Sequence, residues 1–182
     1  IKINEQYLAK EPTRQQLHNT IIEEFLHSIT KNTIEEYVDI KNIGPDGKLV
    51  YEFKNDKKAP ASLRTLMIVY QQAIDQIVKE QGIDNVLKTI DSFNNVKNDN
   101  NTANSLVVNN QNELDVYRVS DINEFIAGIF IKNSNFAKKM ANTKYLQSDK
   151  SILQKFVETL GKMFYDILPN KRQDSISANT LK

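Results

Sequence analysis

Residues 17–29 read Leu17-His18-Asn19-Thr20-Ile21-Ile22-Glu23-Glu24-Phe25-Leu26-His27-Ser28-Ile29. At about 100° per residue from Leu17, the side chains of Ile21, Ile22, Phe25, Leu26 and Ile29 fall within one half-circle, which predicts an amphipathic helix with its apolar arc on a core. Thr13 follows Pro12 and precedes Gln16 by three residues, the spacing of a capping box, so the helix is predicted from Thr13 to about Val38. The same periodicity returns along the chain. Leu63, Leu66, Met67, Tyr70, Ala73, Ile74, Ile77 and Val78 carry it over 61–81, where Pro60 opens a helix and Gly82 closes it. A shorter helix is expected around 84–93. Ser120 or Asp121 caps another through Ile131, and a further one begins near Asn133. The last covers about 149–168, with a stripe of Ile152, Leu153, Phe156, Val157, Leu160, Phe164 and Ile167 that Pro169 ends.

Between the first two helices Gly44-Pro45-Asp46-Gly47 is a dense turn signal followed by alternating Leu49, Tyr51 and Phe53, which predicts a short hairpin at 38–54. Residues 94–112 are crowded with asparagine and carry no period. They read as a flexible loop with a short extended piece at Leu106-Val107-Val108, and the polar tail 169–182 reads as loose. The expectation is a mainly α fold: amphipathic helices packed in one domain, residues 1–168, with a small β-hairpin.

Composition narrows the function classes. In 182 residues, 24 basic and 23 acidic side chains leave a net charge of +1, too little to draw the chain to nucleic acid or a membrane surface through its overall field. No apolar run approaches the roughly 20 residues of a membrane-spanning helix. The absence of cysteine excludes disulfide scaffolds and thiolate metal sites. The chain starts at Ile1 with no basic segment leading into an apolar one, so no signal peptide is visible and the sequence reads as a piece of something longer. There is no G-x-x-x-x-G-K, G-x-G-x-x-G or G-x-S-x-G string, and five glycines leave little room for a phosphate cradle. Lys54, Lys57 and Lys58, and Lys171 with Arg172, read as solvated loop charge.

Both histidines lie on the first helix. His18 falls in the middle of the apolar arc and is expected to be packed with a satisfied ring nitrogen. His27 falls opposite, beside Glu23 and Glu24. Residues i and i+4 stack on one face, so Glu23 and His27 can grip one ion together, with Glu24 beside that ion and not on it. The same three residues also read as ordinary solvated surface. Their spacing is that of H-E-x-x-H, in which two histidines bind zinc and the glutamate deprotonates a water, but glutamate stands in the first histidine's place.

The segment Thr20-Ile21-Ile22-Glu23-Glu24-Phe25-Leu26-His27-Ser28-Ile29-Thr30 resembles the metallopeptidase helix of the large polyvalent proteins of phages and mobile elements, whose members typically read T-(L/I)-(L/I)-H-E-(L/F)-(L/I)-H-(A/S)-(L/I)-T. Val116-Tyr117-Arg118-Val119-Ser120-Asp121-Ile122-Asn123-Glu124-Phe125-Ile126-Ala127 is similar to that family's Y-x-x-x-N-x-x-E-F-(I/V)-A block. Asn135-Phe136 and Ser151 to Val157 are placed as in its closing helices, so the likeness spans roughly 12–168. It implies a zincin-like domain, with a zincin-like α+β fold as the alternative to the mainly α one. It also implies that His27 is a zinc ligand, Glu24 the general base and Glu124 the third ligand. Read from the residues, Glu124 lies opposite the stripe Ile122, Phe125, Ile126, Ile129 and Phe130, with small Ala127 and Gly128 beside it to admit another helix. A glutamate in a first helical turn also simply complements the helix dipole.

Two departures bear on activity: Glu23 replaces a histidine, and Gly128 stands where family members often carry an acidic residue. A Glu23, His27, Glu124 set can bind Zn²⁺, although two carboxylates would weaken the ion's pull on water and favour Mn²⁺ or Mg²⁺. Held close without an ion, the two carboxylates should repel, raising at least one pKa. Either the centre is impaired or inert, with no cofactor, or Glu23 is an introduced change in an active enzyme. The resemblance implies a peptide or protein substrate if the domain is active, other virion or parent-protein segments as partners, and a virion or host-cytoplasm location. The rival class is a non-catalytic helical interaction or packing module of a virion protein, with the helix at 149–168 as its surface.

Overall fold

The structure, a computed structural model, describes residues 13–54, 58–98, 108–131, 134–146 and 148–176; the side chains of residues 29, 32, 96–98 and 167–176 fall outside the description. The order is α1 (Arg14–Tyr37), β1 (Val38–Ile43), β2 (Leu49–Phe53), α2 (Ala61–Gln81), α3 (Ile83–Asn98), α4 (Gln111–Ser120), α5 (Ile122–Phe130), α6 (Asn135–Asn142) and α7 (Ile152–Ile176). The fold is mainly helical, with one two-stranded antiparallel sheet among the described residues. None of the described helices is long and apolar enough to cross a membrane.

Thr13 starts α1 through the capping box its sequence predicts: its hydroxyl accepts from the Gln16 amide at 3.2 Å, and the Gln16 side chain accepts from the Thr13 amide at 2.8 Å. The face that α1 buries is not the predicted one. Leu26, Thr30 and Ile34, four residues apart, are the buried positions, whereas Ile21 and Phe25 are 41% and 52% exposed and His18 is exposed too. His18 is therefore a surface residue, not a packed one. The helix is turned so that its polar side meets α5. There the Thr30 hydroxyl donates to the Leu26 carbonyl at 2.8 Å and lies 3.2 Å from Asn123 Oδ1. Polar groups that find partners inside can outweigh an apolar arc that is merely more continuous.

The hairpin pairs Val38 with Phe53, Ile40 with Tyr51 and Ile43 with Leu49, with a bulge between Ile40 and Asn42. Its turn holds Gly47 at φ 77°, a left-handed conformation that glycine adopts without a Cβ penalty. Behind it α2 is the central rod: Leu63, Leu66, Met67, Tyr70, Ala73, Ile74 and Ile77 are all buried along it. It packs chiefly on α7, whose inner side is Ile152, Phe156, Leu160 and Met163; Val157 of the predicted stripe is exposed. Nor does Pro169 end α7, which runs on to Ile176. Proline removes one intrahelical hydrogen bond and strains the preceding turn, but it does not force the chain out of helical dihedrals.

The asparagine-rich stretch is shorter than its composition suggests. Residues 94–98 complete α3, and α4 begins at Gln111 because the Asn110 side chain accepts from the Glu113 amide at 3.0 Å while Glu113 accepts from the Asn109 amide at 2.8 Å. Leu106 and Val107 lie outside the described residues, as does the tail beyond Ile176. Asp121 caps α5 by accepting from the Asn123 amide at 2.7 Å, and Ser134 caps α6, its side chain accepting from the Ala137 amide at 3.1 Å to start the helix near the expected place. The core closes on Phe125, whose ring lies 5.3 Å from Tyr70, 5.3 Å from Phe156 and 6.0 Å from Phe136 between centroids.

Candidate metal centre

Glu23 and His27 stack on the inward side of α1, one turn apart, and Glu124 projects from the first turn of α5. One ligand atom of each lies within 4.8 Å of those of the other two, and His27 Nε2 is 3.9 Å from Glu124 Oε1. Four-coordinate bonds of about 2.0–2.2 Å put ligand atoms a little over 3 Å apart, so a modest contraction would bring this set onto one ion. The expected approach of Glu124 to His27 and Glu23 is thus present. Glu24 is exposed on the neighbouring flank of α1, beside the cluster and not within it.

A fourth residue, unforeseen from the sequence, lies among them. Arg118 on α4 donates from Nη1 to Glu23 Oε1 at 2.6 Å and to Glu124 Oε2 at 2.9 Å, and its side chain is only 11% exposed. Its guanidinium carbon sits 5.4 Å from the centre of the Tyr117 ring. Gly128 makes room for it. A Cβ on Gly128 would stand 2.7 Å from Arg118 Cδ and 3.1 Å from Cγ, closer than carbon atoms pack. The smallness of Gly128 thus admits side chains of two neighbouring helices, the stem of Arg118 from α4 and, at 3.3 Å, the ring of Phe136 from α6. No spacing rule marks Arg118, which stands unassigned within the Val116–Ala127 block. Only the demand that two half-buried carboxylates find a cation would have pointed to an arginine nearby.

Electrostatics follow from this packing. Burial pushes the Glu124 pKa above its ordinary value; the Tyr117 hydroxyl that hydrogen-bonds to it, the Arg118 guanidinium and His27 pull the other way, and the charge of Glu23 adds the least. The direction is the one expected, but desolvation, not repulsion between carboxylates, is the main cause. Tyr117 is held well above the usual phenol range by burial and then by the Glu124 carboxylate, with its ring edge-on to Phe93 at 5.7 Å. His27 Nε2 is buried and has no hydrogen-bond partner among the described residues.

Two oxygens and one unpaired imidazole nitrogen make a donor set suited to a divalent ion. Its two carboxylates, however, already share a cation. At the effective dielectric of a protein surface, two unit charges about 4 Å apart interact by about 4 kcal/mol, so a dication entering beside the guanidinium would meet roughly twice that in repulsion. Arg118 therefore competes with an ion for both carboxylates. With Arg118 in place, the arrangement ties α1, α4 and α5 together through one guanidinium. Comparison with protein-family models, with curated proteins and with solved structures returns no match to this chain.

Proposed function

We propose that the chain is a metallopeptidase-like domain, of the kind carried by large phage or mobile-element proteins, whose catalytic centre no longer hydrolyses peptides. The observation that carries this reading is the Arg118 guanidinium on both Glu23 and Glu124, at 2.6 and 2.9 Å. Glu23, His27 and Glu124 keep a ligand-like convergence. The positive charge at their centre is a guanidinium, which offers no open coordination position and cannot lower the pKa of a water as a metal ion does. Glu24 keeps the place of a general base with no activated water to serve. A virion or host-cytoplasm setting accompanies this reading through the sequence resemblance. A second reading, the non-catalytic interaction module, is favoured by Ile21 and Phe25, which stand exposed one turn apart on α1.

The test is elemental analysis of the purified domain together with cleavage of a mixed peptide library in zinc. The wild-type chain is expected to carry far less than one equivalent of metal and to cleave nothing. The double variant Glu23→His, Arg118→Gln should take up zinc. Zinc-dependent cleavage by the wild-type chain, lost in Glu24→Gln, would overturn the reading.

A further inference from the structure

We infer that Arg118 is a gate on a latent divalent-cation site: seated against Gly128 it occupies Glu23 and Glu124, and displaced it frees both carboxylates, with His27, for an ion such as Zn²⁺ or Mn²⁺. The inference builds on the reading above and adds what controls the site. Three independent features support it. Arg118 spends its Nη1 hydrogens on one oxygen of each carboxylate, the groups an ion would use. His27 Nε2, 3.9 Å from Glu124 Oε1, is left buried and unpaired; that is an unfavourable state for a nitrogen, which a cation would relieve. The seat itself depends on one missing methyl group, because a Cβ at Gly128 would overlap the middle of the Arg118 stem and not its mobile end. Charge and shape thus act together. The guanidinium repels an incoming dication, and Gly128 fixes the guanidinium where it does so.

Two substitutions separate these contributions. Arg118→Gln removes the charge and keeps part of the stem; Gly128→Ala keeps the charge and crowds the stem out, with a lesser contact on the Phe136 ring at 3.3 Å. Thermal unfolding of each full chain would be followed with chelator, ZnCl₂ or MnCl₂, after circular dichroism has confirmed helical content. The wild-type midpoint should not move with either metal. Both variants should gain a metal-dependent rise in midpoint, corresponding to affinity at least about tenfold above wild type and larger for Arg118→Gln. The rise should disappear when Glu124→Gln is added. Should either variant fail to fold, titration of the wild-type chain with Mn²⁺ decides by nuclear magnetic resonance: the His27 ring signals should stay sharp at concentrations that broaden exposed carboxylates. A wild-type midpoint that rises with metal as much as the variants', or early broadening of His27, would overturn the gate. Folded variants with no response to metal would overturn the latent site. Neither result touches the absence of peptide cleavage, which stands or falls on the wild-type assay.

Discussion

Glu124 illustrates how burial and pairing compete over one carboxyl group. Its side chain is 13% exposed and faces a guanidinium, an imidazole and a phenol, yet burial wins and its pKa stands above the ordinary 4.5. The folded chain therefore holds this proton more tightly than the unfolded chain. The contribution is fully present below the unfolded pKa and is lost as pH rises through the folded one. Stability of the wild-type domain should fall over the interval that starts near 4.5 and extends upward, relative to Glu124→Gln, which cannot ionise there. Urea midpoints at stepped pH measure the difference. A wild-type curve that climbs against Glu124→Gln over that interval would mean that Arg118, not burial, governs the carboxylate. Glu23 and His27 are readable together in the sequence because four residues along a helix put them on one side, whereas Glu124 joins them only through the family resemblance. Arg118 is not readable, because its partners lie 95 and 6 residues away and only the packing of three helices brings them together.

The first helix was legible in its limits and misread in its rotation. Thr13 and Gln16 announce the start in sequence, and the box they form is intact. A helical wheel counts apolar side chains and assigns them to the core. In α1 the inward side is instead set by Thr30, which lies against Asn123 of α5, and by Glu23, which accepts from Arg118 of α4, so Ile21 and Phe25 face solvent and Leu26 is buried at 8% exposure. Adjacent residues then behave oppositely. Phe25→Ser should change stability by no more than about 0.5 kcal/mol, whereas Leu26→Ala should cost about 2–5 kcal/mol through lost contacts and a cavity. Chemical denaturation of the two variants checks this, and a larger loss for Phe25→Ser would mean that α1 is turned the other way. α4 was hidden for a different reason. Its first turn, Gln111-Asn112-Glu113, continues the polar composition of the preceding stretch, and the signal that starts it is one asparagine cap among many asparagines. By contrast α2 matches its prediction closely, because Pro60 and Gly82 bracket a helix whose buried stripe is, but for Ser62 at its start, apolar or aromatic.

The molecule is assembled so that the cluster and the core share one short helix. Glu124 faces His27 and Arg118, while the next residue, Phe125, is fully buried against Tyr70, Phe136 and Phe156, from three other helices. The Tyr70 hydroxyl donates to the Val119 carbonyl at 2.9 Å, so α2 also grips the C-terminal end of α4, one residue from Arg118. The rotation of α5, and with it the direction of Glu124, is thus fixed by a ring on its opposite side. Phe125→Ala should therefore cost about 3–5 kcal/mol, a large part of the roughly 5–15 kcal/mol that holds a domain of this kind folded. Phe125→Leu, which keeps most of the volume, should cost distinctly less. If the ring also sets the cluster, the His27 ring signals should shift in Phe125→Leu although no substituted atom touches them. A Phe125→Ala variant within about 1 kcal/mol of wild type by urea unfolding would show that the core closes without this ring, and that Glu124 is aimed by its ion pair with Arg118 alone.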